Sequence, residues 1–294
     1  MVNQSGFKIG YNDGRTITGD LISDAVNLGN MTVDSVTMAV ATELIDWHMS
    51  GPGIMGIGSE AGEAMGFINS RSYSIWLDDL GAANGTILFG GYDTDKYTGN
   101  LTVLKILDAD RLKVWWSSLT LTDSNGSITL LSDSFPYPAS LDIGSSASHV
   151  PSGVWSKLCE RFGVRNQNIG TDAYPNDAAC VVPCDLGYGS LDFGFGGSNG
   201  TIVSVPFSEL APPGFNARTG EPLYYPNGTR MCLFGLTPGT DGDVFGDTLL
   251  RSAYVVYDLD NEKIAIAQSN VSSTSSNNIV EIPVGGLPFA GTGV

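Results

Sequence analysis

One short segment of the sequence has the residue types of an acid–base site. In Leu141-Asp142-Ile143-Gly144-Ser145-Ser146, an aspartate follows small and apolar residues and leads into a turn rich in glycine and hydroxyl groups. A carboxyl group held at the end of a strand can take up or release a proton during hydrolysis. The same pattern also occurs in turns where the aspartate accepts a hydrogen bond from its own backbone. The segment alone leaves both interpretations open.

Other short motifs in the chain favour turns. Gly196-Gly197-Ser198-Asn199-Gly200 matches G-x-S-x-G, but it lies between two strand-like runs, whereas a hydrolase elbow joins a strand to a helix and uses a histidine base. We interpret it as a hairpin turn. Asp241-Gly242-Asp243 and Asp258-Leu259-Asp260 resemble fragments of calcium loops, yet neither continues to the glycine and distal glutamate of an EF-hand.

The four cysteines are Cys159, Cys180, Cys184 and Cys232, and their even number permits two disulfides. A zinc site is the alternative interpretation. Cys180 and Cys184 lack a second close cysteine pair, and the chain has only two histidines, so this alternative is disfavoured. We therefore expect no metal site and no cofactor.

The composition disfavours two kinds of partner. The formal net charge is -17 and only 14 residues are Lys or Arg, so the clustered positive charge that binds phosphate groups is not available for nucleic acid. No run of about 18 apolar residues occurs, and we expect no transmembrane helix.

Glycosylation motifs indicate the secretory pathway. Eight N-x-S/T motifs in a chain of 294 residues are typical of an extracellular or cell-surface glycoprotein. Residues 1–6 are polar and do not form a signal peptide, so we expect that the sequence lacks an N-terminal portion. The motifs begin at Asn3, Asn30, Asn84, Asn100, Asn125, Asn199, Asn227 and Asn270.

The elements that position these residues are predicted to be mainly strands. Alternating apolar residues from Phe7 to Tyr11, followed by Asn12-Asp13-Gly14, predict a strand and a hairpin turn. Turns are also predicted at residues 82–85 and 123–126. Residues 152–162 predict a helix with Ser152 as its N-cap. Without strand–helix alternation, the pattern favours an all-β protein with one or two short helices.

Several separated segments resemble the pepsin family of aspartic peptidases, especially its fungal secreted and cell-surface members. The longest is Phe-Gly-Asp-Thr-Leu-Leu-Arg-Ser-Ala-Tyr-Val-Val-Tyr-Asp-Leu-Asp at residues 245–260, which is similar to the family's F/L-G-D-x-x-L-R-x-x-Y-V-V-Y-D-L segment. The other similar segments are residues 7–24, 53–58, 87–101 and 141–151, and they occur in the family's own order.

This resemblance implies a two-lobed, all-β acid protease fold that hydrolyses proteins or peptides with an activated water. It implies an incomplete first lobe at residues 1–106, which includes the flap, a complete second lobe at 107–268 and a polar tail at 269–294. Residues 269–278 in this tail have the composition of a linker or stalk. We expect a monomer.

The resemblance also implies roles for individual residues. Asp142 corresponds to one of the two catalytic aspartates, and the substrate-binding residues would be Tyr11, Asn12 and Asp13 of the flap with Gly144, Ser145 and Ser146 of the catalytic loop. Cys184 and Cys232 fall where the family places a disulfide of its second lobe. Cys159 and Cys180 would then form a further bridge by elimination.

Three departures from the family pattern bear on activity. No D-T-G or D-S-G segment, which would carry the other catalytic aspartate, occurs in the chain. Ile143 replaces the usual Ser or Thr, and Asn12 stands where the flap often has glycine. We expect a member of an endopeptidase lineage that is inactive as this chain. The alternatives are a non-catalytic peptide-binding protein of the same fold and a carbohydrate-binding β-sandwich on a serine-rich stalk.

Overall fold

The chain forms two units of unequal size, Met1–Phe67 and Ile68–Val294. The division does not coincide with the lobe boundary predicted near residue 106, because strands between residues 72 and 105 pair with strands between residues 253 and 269. The predicted lobe limits remain predictions. The computed structural model describes residues 4–10, 16–28, 31–45, 56–57, 68–131, 136–168, 178–216, 219–239, 243–274 and 278–287.

The first unit contains a three-stranded sheet in the order β1-β2-β3. Both pairs are antiparallel, and the pair of β1 and β2 ends at Gly10 opposite Thr16. The strand predicted near Phe7 is therefore confirmed, whereas the turn at residues 12–14 lies outside the described residues. The strands are β1 (Gln4–Gly10), β2 (Thr16–Leu28) and β3 (Met31–Ile45).

The second unit is built mainly from strands. They are β4 (Ser72–Trp76), β5 (Thr86–Phe89), β6 (Gly91–Asp93), β7 (Tyr97–Lys105), β8 (Lys113–Asp123), β9 (Gly126–Leu131), β10 (Tyr137–Leu141), β11 (Ser148–Val150), β12 (Arg165–Asn168), β13 (Ala178–Pro183), β14 (Gly189–Phe195), β15 (Thr201–Pro206), β16 (Met231–Leu233), β17 (Leu236–Pro238), β18 (Asp243–Phe245), β19 (Ala253–Asp258), β20 (Lys263–Ser269) and β21 (Ile279–Glu281). Its α-helices are α1 (Ser152–Phe162) and α2 (Asp247–Leu250), and short 3-10 helices lie at Thr94–Lys96, Gly197–Asn199 and Phe207–Leu210.

Two large sheets position the candidate site. One has the order β15-β14-β8-β10-β18, with β9 also paired to β8, and the other has the order β5-β4-β19-β20-β7. In the first sheet β10 and β18 run parallel, while its other pairs are antiparallel. Parallel neighbours bring their carboxyl ends to the same edge of a sheet. The segments that follow β10 and β18 therefore lie side by side.

Aromatic packing holds this edge in place. Trp116 of β8 is fully buried and contacts Phe245 of β18, with ring centroids 5.1 Å apart, and Phe193 of β14 at 5.8 Å. Burying each such side chain contributes about 2–3 kcal/mol. The end of β18 is thus fixed by the core rather than by the loop that follows it. The all-β class predicted from the sequence is confirmed.

The helix prediction is confirmed at residues 152–162, but its cap is not. Val154, Leu158 and Phe162 face the core, as their spacing indicates. Ser152 is the first helical residue, and Pro151 occupies the cap position without a side-chain hydrogen bond. Among the described residues, no helix is both long enough and apolar enough to span a membrane.

Two of the predicted turns of the second unit are confirmed, and the third is wrong. Residues 123–126 join β8 and β9, and residues 196–200 join the antiparallel strands β14 and β15, so Ser198 lies in a hairpin and not in a hydrolase elbow. Residues 82–85 were expected to form a tight hairpin turn. Instead β4 and β5 pair across a longer connection, because their register begins at Trp76 opposite Thr86.

The C-terminal segment is part of the folded unit, which corrects its interpretation as a linker or stalk. β21 pairs with β6, and Ile282 and Leu287 are buried in the core. The Lys96 ammonium donates to the Ser273 carbonyl at 2.8 Å, and the Leu287 amide donates to the buried Asp258 carboxylate at 3.0 Å. Main-chain groups of this segment thus satisfy two buried side chains, those of Lys96 and Asp258.

Candidate active site

Asp142 lies directly after β10, at the parallel edge of the six-stranded sheet. Leu141 is opposite Phe245 of β18, and the Asp142 amide donates to the Phe245 carbonyl at 2.9 Å. The Asp142 side chain is exposed, and its Oδ1 accepts a hydrogen bond from the Gly144 amide at 2.8 Å. A short turn on a rigid strand end therefore presents one carboxylate to solvent.

The remaining predicted residues of this loop surround Asp142. The Ser145 amide donates to the Asp142 carbonyl at 3.2 Å, and the Ser145 hydroxyl donates to the Ala147 carbonyl at 2.9 Å. Ser146 is exposed, and its carbonyl accepts from the Thr248 hydroxyl at 3.2 Å. Ile143 projects an apolar side chain that is 38% exposed. The structure thus brings Gly144, Ser145 and Ser146 together with Asp142.

Gly246 allows the segment after β18 to approach the loop closely. A Cβ atom on Gly246 would lie 2.0 Å from the Ser145 carbonyl oxygen and 2.6 Å from that of Ala147. The Gly246 amide donates to the buried Ser148 hydroxyl at 3.1 Å, and the next amide, of Asp247, donates to the Ser145 carbonyl at 2.8 Å. Only a glycine leaves room for this backbone contact, so Gly246 is required by the loop's position.

A second carboxyl group, that of Asp247, lies close enough to Asp142 to feel its charge. Burial raises the pKa of Asp247, while the Arg251 guanidinium lowers that pKa and the Asp142 carboxylate raises it. Arg251 itself is held by Glu209, with Nε and Oε2 2.7 Å apart in a largely buried pair. Sequence analysis did not single out Asp247 or Gly246, although both belong to the Phe-Gly-Asp segment that carries the family resemblance.

The opposite side of the loop rests on two buried tyrosines. The Tyr257 hydroxyl of β19 donates to the Leu141 carbonyl at 3.0 Å. The Tyr73 ring of β4 stacks on Tyr257, with ring centroids 4.6 Å apart. The nearby Asp142 carboxylate adds to the effect of burial in raising the pKa of both phenols. The sequence predicted no role for either tyrosine. The alternation of apolar residues in a strand indicates which side chains are buried, but not which distant carbonyl a buried tyrosine hydroxyl bonds.

The cysteines give one confirmation and one correction. The Cys184–Cys232 disulfide is present, with a Cα–Cα distance of 4.9 Å. The predicted Cys159–Cys180 bridge is wrong, because both residues are free thiols. Assigning one disulfide shows which two cysteines remain, but it does not show that these two are bonded to each other. Burial, together with the neighbouring Cys180, raises the pKa of Cys159 to about 11, so the thiolate needed for disulfide exchange is scarce.

The flap residues Tyr11, Asn12 and Asp13 lie outside the described residues, and their substrate-binding role remains a prediction. Within the described ranges, no three His, Cys, Asp or Glu side chains are grouped so as to hold a metal ion.

Known proteins resemble this chain along most of its length. The profile of the family described as eukaryotic aspartyl protease matches residues 1–269. The Aspergillus oryzae protein named Probable aspartic-type endopeptidase opsB is 33% identical over 96% of this chain, and the chain spans 59% of that protein. Secreted aspartic protease 1 of Candida albicans is 32% identical over 95% of the chain, which spans 67% of that relative.

Structural comparison confirms the pepsin-like fold. The crystal structure of aspartic proteinase from Irpex lacteus matches with a TM-score of 0.69, covering 94% of this chain and 85% of that chain at 18% sequence identity. At this identity the match establishes the fold alone. With the profile match over residues 1–269, the chain belongs to the eukaryotic aspartyl protease family.

Proposed function

We propose that this chain carries one half of the catalytic dyad of an aspartic endopeptidase, with Asp142 as the catalytic aspartate. The observation that supports the proposal is an exposed carboxylate at the end of β10. The backbone of its loop is hydrogen-bonded to Phe245 at the end of β18 and to Asp247 just after it. Substrates would be proteins or peptides. The N-x-S/T motifs and the secretion of the similar Candida albicans protein, Secreted aspartic protease 1, support an extracellular or cell-surface location.

The chemistry requires two carboxyl groups that share one proton. One acts as a base on the attacking water, and the other, protonated, acts as an acid toward the substrate carbonyl. Asp142 can supply one of these groups, because its carboxylate is exposed and already accepts the Gly144 amide. The second would come from a D-T-G or D-S-G loop, which the 294 residues do not contain.

By itself, this chain is therefore expected not to cleave peptide bonds. Asp247 does not replace the missing partner in this proposal, because its carboxyl is half-buried and interacts with the cationic Arg251. Residues 1–294, produced in a secretory host, should leave casein intact between about pH 3 and pH 6, where an aspartate dyad titrates. Cleavage that a statine-type inhibitor blocks and Asp142→Asn abolishes would contradict the predicted inactivity.

A chimaera tests the role of Asp142 directly. The upstream part of the Candida albicans relative, which would supply a D-T/S-G loop, is joined to this chain and assayed with the same substrate. Activity should appear, should be lost with Asp142→Asn and should survive Asp185→Asn. Asp185 is a matched control, because its exposed carboxylate accepts the Gly187 amide at 2.9 Å in the same local arrangement. Activity that persists after Asp142→Asn would refute the assignment.

Ile143 favours one alternative, a peptide-binding protein of this fold without catalysis. Its side chain cannot make the hydrogen bond that a Ser or Thr hydroxyl at this position offers to the opposite loop. In the chimaera, Ile143→Thr distinguishes the two proposals. A gain of tenfold or more in kcat, about 1.4 kcal/mol of transition-state stabilisation, would show that Ile143 limits catalysis. A chimaera that binds a statine inhibitor but stays inactive with either residue would support the alternative.

A further inference from the structure

The peptide group that joins Leu141 to Asp142 is held at both ends by groups from different strands. Its N–H donates to the Phe245 carbonyl of β18 at 2.9 Å, and its C=O accepts the Tyr257 hydroxyl of β19 at 3.0 Å. Because a peptide group is planar, fixing both polar atoms fixes the plane from which the Asp142 Cα extends. The direction of the Asp142 side chain is therefore set partly by Tyr257.

Tyr257 is itself held in a single orientation. It is 1% exposed and lies opposite Tyr73 in the antiparallel pair of β19 and β4. Its ring stacks on that of Tyr73 at an interplanar angle of 18°, and Tyr73 also contacts Phe89 of β5 at 6.4 Å. Rotating the Tyr257 ring would break this stack, so the ring is held in the orientation in which its hydroxyl donates to the Leu141 carbonyl.

The hydrogen bond from Tyr257 does not depend on pH in the range where aspartates titrate. Burial raises the pKa of Tyr257 well above its usual value, and the charges of Tyr73 and Asp142 act in the same direction. Asp247, which also faces the Asp142 loop, accepts no hydrogen bond from this phenol among the contacts seen in the described part of the chain. The phenol thus remains a donor while the carboxyl groups change protonation.

We propose that Tyr257 is a positioning residue for Asp142, linking the five-stranded sheet to the catalytic loop through the Leu141 carbonyl. The importance of this link for catalysis rests on the proposed function of Asp142. The link itself does not, and it can be tested without measuring activity. Tyr257 does not contact the reacting atoms, so its removal should change the geometry of the loop rather than its chemical groups.

The test compares Tyr257→Phe with Tyr254→Phe in residues 1–294. Tyr254 is a matched control on the same strand: it is 2% exposed, and its hydroxyl donates to Ser74 Oγ at 2.9 Å and accepts the Asp93 amide at 2.7 Å. Each variant keeps the aromatic ring and loses one buried hydroxyl group, and each should lose stability. Only the first variant should disturb the Asp142 loop.

Two NMR measurements report on that loop. The Gly144 amide proton donates to the Asp142 carboxylate, and this hydrogen bond displaces its resonance downfield by an amount that depends on the bond's geometry. In Tyr257→Phe this downfield displacement should fall about twofold, because the turn samples other geometries once one end of the peptide group is free. Hydrogen exchange of the Asp142 amide should accelerate about tenfold beyond the change seen at core amides, as expected for a locally weakened contact.

The proposal is wrong if both loop measurements are the same in Tyr257→Phe and Tyr254→Phe, since Tyr257 would then be only a core residue. If Tyr257→Phe does not fold, Tyr73→Leu provides the second variant: it removes the stacking partner and keeps the phenol. It should lower the downfield displacement of the Gly144 amide proton by a smaller factor, and an unchanged displacement would overturn the proposal. Failure of the chimaera assay with a positive loop result would refute the function of Asp142 but not the link.

Discussion

Two loops of this protein have the same local structure in different surroundings. In Asp142-Ile143-Gly144 and in Asp185-Leu186-Gly187, an exposed aspartate accepts a hydrogen bond from the glycine amide two residues later, at 2.8 Å and 2.9 Å. Both sequences read as an aspartate, an apolar residue and a glycine, which is a pattern for a turn closed by a side chain. Nothing in either triplet alone separates a candidate catalytic aspartate from a turn-former.

The difference lies in what supports each loop. The Asp142 loop follows a strand of the central sheet and is held by Phe245, Gly246 and Tyr257, residues more than 100 positions away. The Asp185 loop adjoins the Cys184–Cys232 disulfide and leads to Tyr188, which is 97% exposed. A covalent bond secures one loop and close backbone packing secures the other. Packing also places the exposed Asp142 carboxylate close enough to Tyr73, Asp247 and Tyr257 to raise the pKa of each of these three groups.

Removing the disulfide should have the largest effect on stability, and it should spare the Asp142 loop. The bond joins residues 48 positions apart, and replacing both cysteines with alanine should cost about 4 kcal/mol in the chain-entropy model. Urea unfolding measures this loss. The Gly144 amide resonance should keep its position, because no hydrogen bond of that loop involves Cys184 or Cys232 in the described structure. A loss below about 1 kcal/mol would show that the unfolded chain is already restricted.

A methyl group added next to the Asp142 loop should cost more stability than one added in the Asp185 loop. Gly246→Ala forces a Cβ against the Ser145 carbonyl, and we expect a loss of about 3 kcal/mol, at the upper end for overpacking. Gly187→Ala meets no atom within 4 Å, but the residue has φ 77°, so it should cost about 1 kcal/mol through left-handed strain alone. Thermal unfolding of both variants tests the order. Equal losses would mean that the Asp142 loop moves away from β18 easily.

Some of these elements could be predicted from the sequence, and others could not. The helix at residues 152–162 and the hairpins at residues 123–126 and 196–200 were predictable, because periodicity and turn residues are local signals. The Cys184–Cys232 bridge and the fold followed from resemblance. The parallel pairing of β10 and β18, and with it the role of Gly246, depends on segments about 100 residues apart, and no local pattern encodes that pairing.

The wrong interpretation of the C-terminal segment also arose because composition is a local signal and its partners are distant in the sequence. The Ser- and Asn-rich residues near 270 looked like a linker because their composition is polar. In the structure their polar groups satisfy distant partners: the Asn270 side-chain amide donates to the Asp95 carbonyl at 2.9 Å, and the Ser272 amide donates to Asp78 Oδ1 at 2.6 Å. Composition reports whether a segment is polar, but not whether the fold provides hydrogen-bond partners for it.

The smallest expected effect concerns the electrostatic coupling of Asp142 to Asp247. Burial raises the pKa of Asp247, Arg251 lowers it, and the Asp142 carboxylate raises it. Asp142→Asn removes that negative charge, so the pKa of Asp247 should fall toward its usual value. Asp185→Asn, at the matching position of the other loop, should leave it where it is. Carboxyl carbon NMR of Asp247 across the acid range measures both variants, and each should change stability at neutral pH by less than about 0.5 kcal/mol.

The same shift predicts how stability depends on pH. A carboxyl group whose pKa is higher in the folded chain than in the unfolded chain binds more protons when folded, so stability falls as pH rises through the interval between the two pKa values. For Asp247 this cost is absent below the unfolded pKa and complete above the folded pKa. Asp142→Asn lowers the folded-state pKa of Asp247, which is the upper limit of this interval. The stability that the Asp247 carboxyl group costs between acid and neutral pH should therefore be smaller in this variant than in the parent chain. An equal decrease in the pKa of Asp247 in Asp185→Asn would show that the overall negative charge of the protein, rather than the proximity of Asp142, raises that pKa.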